Sequence, residues 1–221
     1  EGFVAELIRA LTEQSVMRNV ARVMGPISQS SVRIPRNLTG VAAAWVGENQ
    51  AIAPSDPTFD AVEFTPHKIG AMTLVSNELL ADSAVNVEQL LAALFGEAFA
   101  QLEDQAFFSG DGVGKPSGIL NDPDIQTVTA DAGNAVSVDD ILNLYDALPP
   151  QYRATAVWVM NPATMSHLRK LKDATGRLLL TESLAAAAPT TLLGRPVYLT
   201  SHMPTITAGA KTVLFGDVSR A

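Results

Sequence analysis

Cysteine is absent from this 221-residue chain. Disulfide frameworks, thiolate metal sites and cysteine nucleophiles are excluded together, and a reducing compartment fits the composition. Histidine is scarce: His67, His167 and His202 are scattered, so none forms an i,i+4 metal pair. Long charge-free apolar runs are also missing. The stretch from Ser183 to Gly194 lacks charge but contains Pro189, and no segment reads as a spanning helix. No basic-then-apolar signal segment opens the chain.

Positive charge is lacking where negative charge is dense. Residues 37–114 hold eleven carboxylates against the single base Lys68. The first 36 residues carry five Arg against three Glu, and residues 151–177 carry five bases against one acid. A nucleic-acid-reading domain in the middle of the chain is disfavoured, because phosphate repels carboxylate. Two readings of the asymmetry stay open: a solvated acidic surface, or acidic parts of one copy meeting basic parts of another.

What is present suits a folded chain of one to two domains. Hydrophobic residues make up 47% and charged residues 17%, which excludes wholesale disorder. Residues 3–24 carry apolar side chains at helical spacing, and Gly25-Pro26 ends the run. A short strand is expected at 31–34. Residues 37–75 then predict a long hairpin: the run Val41 to Val46, turn chemistry through Pro54 and Pro57, and strand segments around Phe59 to Phe64 and Ile69 to Leu74. Such a hairpin buries little of itself. It either folds back on its own domain or leans on a neighbour.

Ser76 is placed to cap a short helix through Asp82. Asn86 then opens the strongest helix, from Val87 to Phe108 and about 33 Å long. Val87, Leu90, Leu91, Leu94, Phe95, Ala98, Phe99, Leu102 and Ala106 form one broad apolar stripe, and the strands within this chain look too few to cover Leu90, Leu91, Leu94, Ala98 and Leu102. Glu88, Glu97, Glu103 and Asp104 lie off that stripe. A glycine-rich run from Gly110 to Gly118 follows, then a loop with a short strand expected at 125–128. From Ser137 the pattern alternates. Ser137 and Asp140 form a capping box, Ala156 to Met160 reads as a buried strand, and Asn161-Pro162 opens a helix. Pro196 to Thr200 and Thr212 to Phe215 read as further strands.

No catalytic constellation emerges. In the glycine run the phosphate-loop pattern would need Gly where Ser109 stands and Ser or Thr where Pro116 stands. Gly110, Gly112 and Gly114 are spaced two and two, which is not a dinucleotide fingerprint. There is no Gly-x-Ser-x-Gly elbow. Glu78 with Asp82, and Glu103 with Asp104, read as helix-face pairs. No catalytic residue, metal ligand or cofactor is assigned.

Three blocks carry a family resemblance. They are Trp45-Val46-Gly47-Glu48 continuing to Ser55-Asp56-Pro57-Thr58-Phe59; Val75-Ser76-Asn77-Glu78-Leu79-Leu80-Ala81-Asp82-Ser83; and Phe107-Phe108-Ser109-Gly110-Asp111-Gly112 leading to Lys115-Pro116-Ser117-Gly118-Ile119-Leu120. In this order and separation they resemble tailed-bacteriophage major capsid proteins of the HK97-like fold. The resemblance covers nearly the whole chain.

It implies an α+β fold with a long spine helix, an extended β-hairpin (the E-loop) and an α/β axial domain. The implied layout is an N-terminal arm at 1–36, the E-loop at 37–75, a peripheral domain at 76–135 and the axial domain at 136–221. The implied function is structural: self-assembly into the hexamers and pentamers of an icosahedral shell around double-stranded DNA. Implied assembly residues on the E-loop and glycine-rich loop are Trp45, Glu48, Asp56, Phe59, Asp111 and Lys115. Implied partners are other copies of the chain, packaged DNA by proximity, and scaffold, protease and portal proteins, with no membrane. The implied location is the virion capsid of a phage or prophage, assembled in the bacterial host cytoplasm. Two rivals stand beside it: an encapsulin-type nanocompartment shell, and a small-molecule-binding α/β enzyme. Two departures accompany the resemblance. The family continues past the counterpart of Ala221 and returns to the peripheral sheet, and it usually has a scaffolding-like region before the N-arm.

Overall fold

The computed structural model describes residues 15–25, 31–37, 45, 58–76, 87–131, 135–171 and 190–220. The chain divides into two units, residues 24–68 and the remainder.

In the smaller unit, β1 (Val32–Asn37) pairs antiparallel with β2 (Phe59–Phe64). The register sets Val32 opposite Phe64 and Ile34 opposite Val62. With period-two alternation these four share one face, and Phe64 and Val62 stay 44% and 36% exposed. On the other face Arg33 meets Glu63 at 3.2 Å. The ladder begins at Val32, inside the stretch assigned from sequence to the N-terminal arm. Pro35 is tolerated because a two-stranded ladder consists of edges. Residues 65–76 form no strand, so the expected segment around Ile69 to Leu74 is not realised. Met72 and Leu74 are 88% and 90% exposed.

In the larger unit, the helix expected through residue 24 is short in its described part. Helix α1 (Val16–Val20) is capped by Ser15, whose backbone is extended, and it ends at Ala21, also extended. An extended Ser15 interrupts any helix running through it. The positions expected for the Ser76 helix lie outside the described residues from 77 on.

Helix α2 (Val87–Ser109) matches its expected span but not its expected face. The buried row is Ala92, Gly96, Ala100, Asp104 and Phe108, at strict i,i+4 spacing. Leu90, Leu94 and Leu102 are each about half exposed. The helix is apolar nearly all round, so periodicity does not select its buried side.

After α2, a 3-10 turn (Ile119–Asn121) leads into an irregular stretch. The strand expected at 125–128 does not form. Asp122 instead accepts from Asp124 N, an aspartate turn that ends regular structure. Helix α3 (Val138–Ala147) opens with the expected reciprocal box: Ser137 Oγ accepts from Asp140 N, and Asp140 accepts from Ser137 N. The short α4 (Pro150–Arg153) follows, and Arg153 donates back to the Leu148 and Asp146 carbonyls near the end of α3.

The sheet order is β4 (Thr191–Leu192), β5 (Arg195–Leu199), β3 (Val157–Met160), β6 (Val213–Gly216). β3 runs parallel to β5 and antiparallel to β6. Helix α5 (Pro162–Arg169) lies between β3 and β4 in sequence. β4 and β5 join through Leu193 and Gly194, both at positive φ, as a two-residue hairpin of primed type requires.

Two apolar clusters hold this unit. In the first, Trp158 stacks on Phe215 at 4.1 Å between ring centres, and Phe215 stacks on Tyr145. Trp158 Nε1 donates to Leu192 O at 2.9 Å, so the buried indole leaves no orphan donor. In the second, Met17 and Phe108 meet Val159, Met203 and Val218. That cluster joins α1 and the end of α2 to the sheet.

Candidate assembly surfaces

The glycine-rich loop is built rather than slack. Gly110 N donates to Ala106 O, and Gly118 N to Gly110 O. Asn121 Nδ2 closes the base on the Ser109 and Gly110 carbonyls. A Cβ on Gly110 would lie 2.0 Å from Pro116 O and 2.5 Å from Ala106 O. On Gly118 it would lie 2.5 Å from Gly110 N. These two glycines permit backbone to touch backbone. Gly112 and Gly114 do the other job, adopting positive φ.

Asp111 and Lys115 come together on this loop. Asp111 Oδ1 accepts from Val113 N at 3.1 Å and lies 3.5 Å from Lys115 Nζ. The Val113 bond, assisted by Lys115, holds the Asp111 carboxyl below its ordinary range. Both residues are exposed, so the pair shapes the loop more than it stabilises the fold. Between them Val113 is 81% exposed, an apolar tip that the sequence reading did not single out. Its signal was there: a β-branched residue flanked by glycines that lift it clear of the helix end.

Trp45 is fully exposed. Phe59 sits on β2 opposite Asn37. Glu48 and Asp56 lie outside the described residues. On α2 the row Leu90, Leu94 and Leu102, part of the stripe for which too few covering strands were expected, is half exposed. Large exposed apolar side chains of this kind mark interaction surfaces.

The acids of α2 do not form one open face. Asp104 is buried and accepts three hydrogen bonds from Ser15, Val16 and Met17, and Glu103 pairs with Arg18. That pairing raises the Arg18 pKa further, chiefly through its hydrogen bond to Glu103. Of the four carboxylates expected off the stripe, Glu97 is exposed.

Among the described residues no group of three His, Asp or Glu could hold a metal ion, and no helix is long and apolar enough to cross a membrane. A cavity of about 370 Å³ lies between the 119–130 stretch, α3 and β6. Its carboxylate, Asp140, is committed to the helix cap by Ser137 and to Asp131 N.

The whole chain, residues 1–221, matches the phage capsid family. It is 29% identical over 211 residues to the major capsid protein of Klebsiella oxytoca phage phiKO2, covering 90% of this chain and 48% of that protein. The chain thus spans about half the length of this curated relative. The capsid of a native GTA particle with C5 symmetry superposes with a TM-score of 0.82 at 34% identity, over 92% of this chain and 73% of that one. A chain from Mycobacterium phage Bobi shares the fold at a TM-score of 0.64 and 20% identity, over 93% and 70% of the two chains. The mixed α+β architecture is HK97-like, and the chain belongs to the phage capsid family, whose members are structural, non-enzymatic components of the virion shell.

Proposed function

We propose that this chain is the shell-building part of a major capsid protein, associating with copies of itself into pentamers and hexamers that close around double-stranded DNA. The observation that carries this reading is the likeness to the capsid of a native GTA particle, a structure computed with C5 symmetry, at 34% identity and a TM-score of 0.82. A rotated, repeated head-to-tail contact closes a ring.

The proposed layout is an N-terminal arm through residue 36, the hairpin through 75, a peripheral domain through 135 and an axial domain beyond. The hairpin lies on a neighbouring subunit. Its Val62 and Phe64 are exposed on the described ladder, and Trp45 is fully exposed, so this unit presents apolar surface for another chain. Trp45, Glu48, Asp56 and Phe59 act on the hairpin side of that contact. Asp111 and Lys115 act by holding the glycine-rich loop in shape. Contact with DNA is by proximity and without sequence reading. Scaffold, protease and portal proteins complete the partner set.

The leucine row on α2 needs a cover, since each exposed leucine forgoes about 25 cal/mol per Å² of burial. Residues 1–221 alone are therefore expected to stay monomeric or to associate irregularly. Electron microscopy and sedimentation velocity test both halves of the proposal. A form extended to its relatives' length should give uniform closed particles, and the 221-residue chain should not. Uniform closed particles from residues 1–221 would overturn the need for a cover. Discrete monomers from the longer form under all assembly conditions would overturn the shell function.

A further inference from the structure

β6 is the end strand of its sheet. β3 pairs with one side of it, and among the described residues no strand pairs with the other. Neighbouring residues of a strand turn their N–H and C=O groups to opposite sides, so about half of the β6 backbone groups are left open there. At the far end of the sheet β4 is two residues long, too short to template another strand. β6 has no such protection. The cavity of about 370 Å³ is lined by Val213 to Phe215 and by no residue of β3, which places it on the open side, and residues 125–130 line it from across.

That stretch is tied at both ends and unbonded between them. Lys211 Nζ donates to Leu120 O at 2.6 Å, and Asp131 N donates to Asp140 Oδ1 at 3.1 Å. Among the described residues, 125–130 make no hydrogen bond, and Thr127 to Thr129 are exposed. Yet the composition is that of a strand: Ile125, Thr127, Val128 and Thr129 are all β-branched. Ten residues lie between the two tethers. Pairing along four strand residues takes about 13 Å, so neither tether has to break.

We propose that residues 125–129 are a closing strand, which crosses the cavity and pairs with the open edge of β6 as the fifth strand of the sheet. Closing exchanges water for a ladder at the open backbone groups. It also lays β-branched side chains against the apolar lining of Ile141, Leu144, Ile206 and Phe215. The longer of the sheet's two edges is then no template for a strand of another chain. In a protein whose copies associate, an edge that closes on its own chain excludes one wrong contact. The closing belongs to a single chain and does not rest on the shell function.

Amide exchange followed residue by residue by NMR, on the unassembled full chain, tests this. In the wild type the open-side amides of β6 should exchange about fivefold slower, or more, than unstructured peptide. Proline removes a strand's N–H, and successive N–H groups point to opposite sides. Of Thr127→Pro and Val128→Pro, therefore, one removes a bond to β6 and the other falls on the new outer edge, where proline is tolerated. At least one of them should speed the β6 open-side amides about fivefold while β3 and β5 are unchanged. Thr127→Gly keeps the N–H and lowers only the strand preference, and should act in the same direction by about threefold. The closing strand is overturned if the open-side amides of β6 are unprotected in the wild type, or if none of the three variants speeds them without also speeding β3. It is equally overturned if their protection appears only as protein concentration rises, which would assign the edge to a second copy.

Discussion

Asn161 uses both ends of its amide: Oδ1 accepts from Ala163 N at 2.9 Å to cap α5, while Nδ2 donates to Met203 O at 2.7 Å. One side chain starts a helix and ties down the loop that follows β5. Asn161→Ala should cost about 2 kcal/mol, one part for the cap and one for the loop bond. Asn161→Ser keeps a capping oxygen but does not reach Met203, and should cost about 1 kcal/mol. Urea denaturation midpoints would separate the two. Equal losses would mean that the Met203 bond contributes nothing.

The two tryptophans report on different events. Trp158 is fully buried and Trp45 fully exposed. Iodide should quench the emission of Trp45 and spare that of Trp158. If the hairpin lies on a neighbour, Trp45 should lose its quenching when particles form. Trp158→Phe retains an aromatic ring but strands the Leu192 carbonyl, and should cost about 2 kcal/mol by denaturation.

The glycines of the loop should separate into two classes. Gly110→Ala and Gly118→Ala drive a Cβ into backbone that has no room to yield, and should cost more than about 3 kcal/mol or block folding. Gly112→Ala and Gly114→Ala meet open or ordinary space but keep positive φ, at about 1 kcal/mol each. Melting temperatures of the four variants would show the grouping.

Acid should weaken the cap of α3. Burial pushes the Asp140 carboxyl up, but hydrogen bonds from Ser137 and Asp131 outweigh it, and the net pKa is lowered. A lowered carboxylate stabilises the fold above its unfolded pKa of about 3.9, and that contribution fades as pH falls through the folded value. Asp140→Asn should therefore be less stable than wild type at pH 6, with the gap narrowing towards pH 3. Denaturation midpoints across that range would check it. A gap independent of pH would contradict the assignment.

What the amino-acid sequence determined by itself is local. Ser137 with Asp140, and Asn161 with Pro162, announce helix starts because capping acts over two or three residues. The strands around Trp158, Val197 and Leu214 are legible as short apolar runs between turn residues. The three blocks around Trp45, Ser76 and Gly110 pointed to the family through their residues, order and separation along the chain. Tertiary structure decided the rest. Nothing within a few residues of Asp104 says that it will be buried, because its donors at Ser15 to Met17 lie more than eighty residues away. Nor could an α2 that is apolar nearly all round choose between its leucine row and its alanine-glycine row. Contacts distant in sequence chose the buried row, which ends at Phe108 among Met17, Val159, Met203 and Val218.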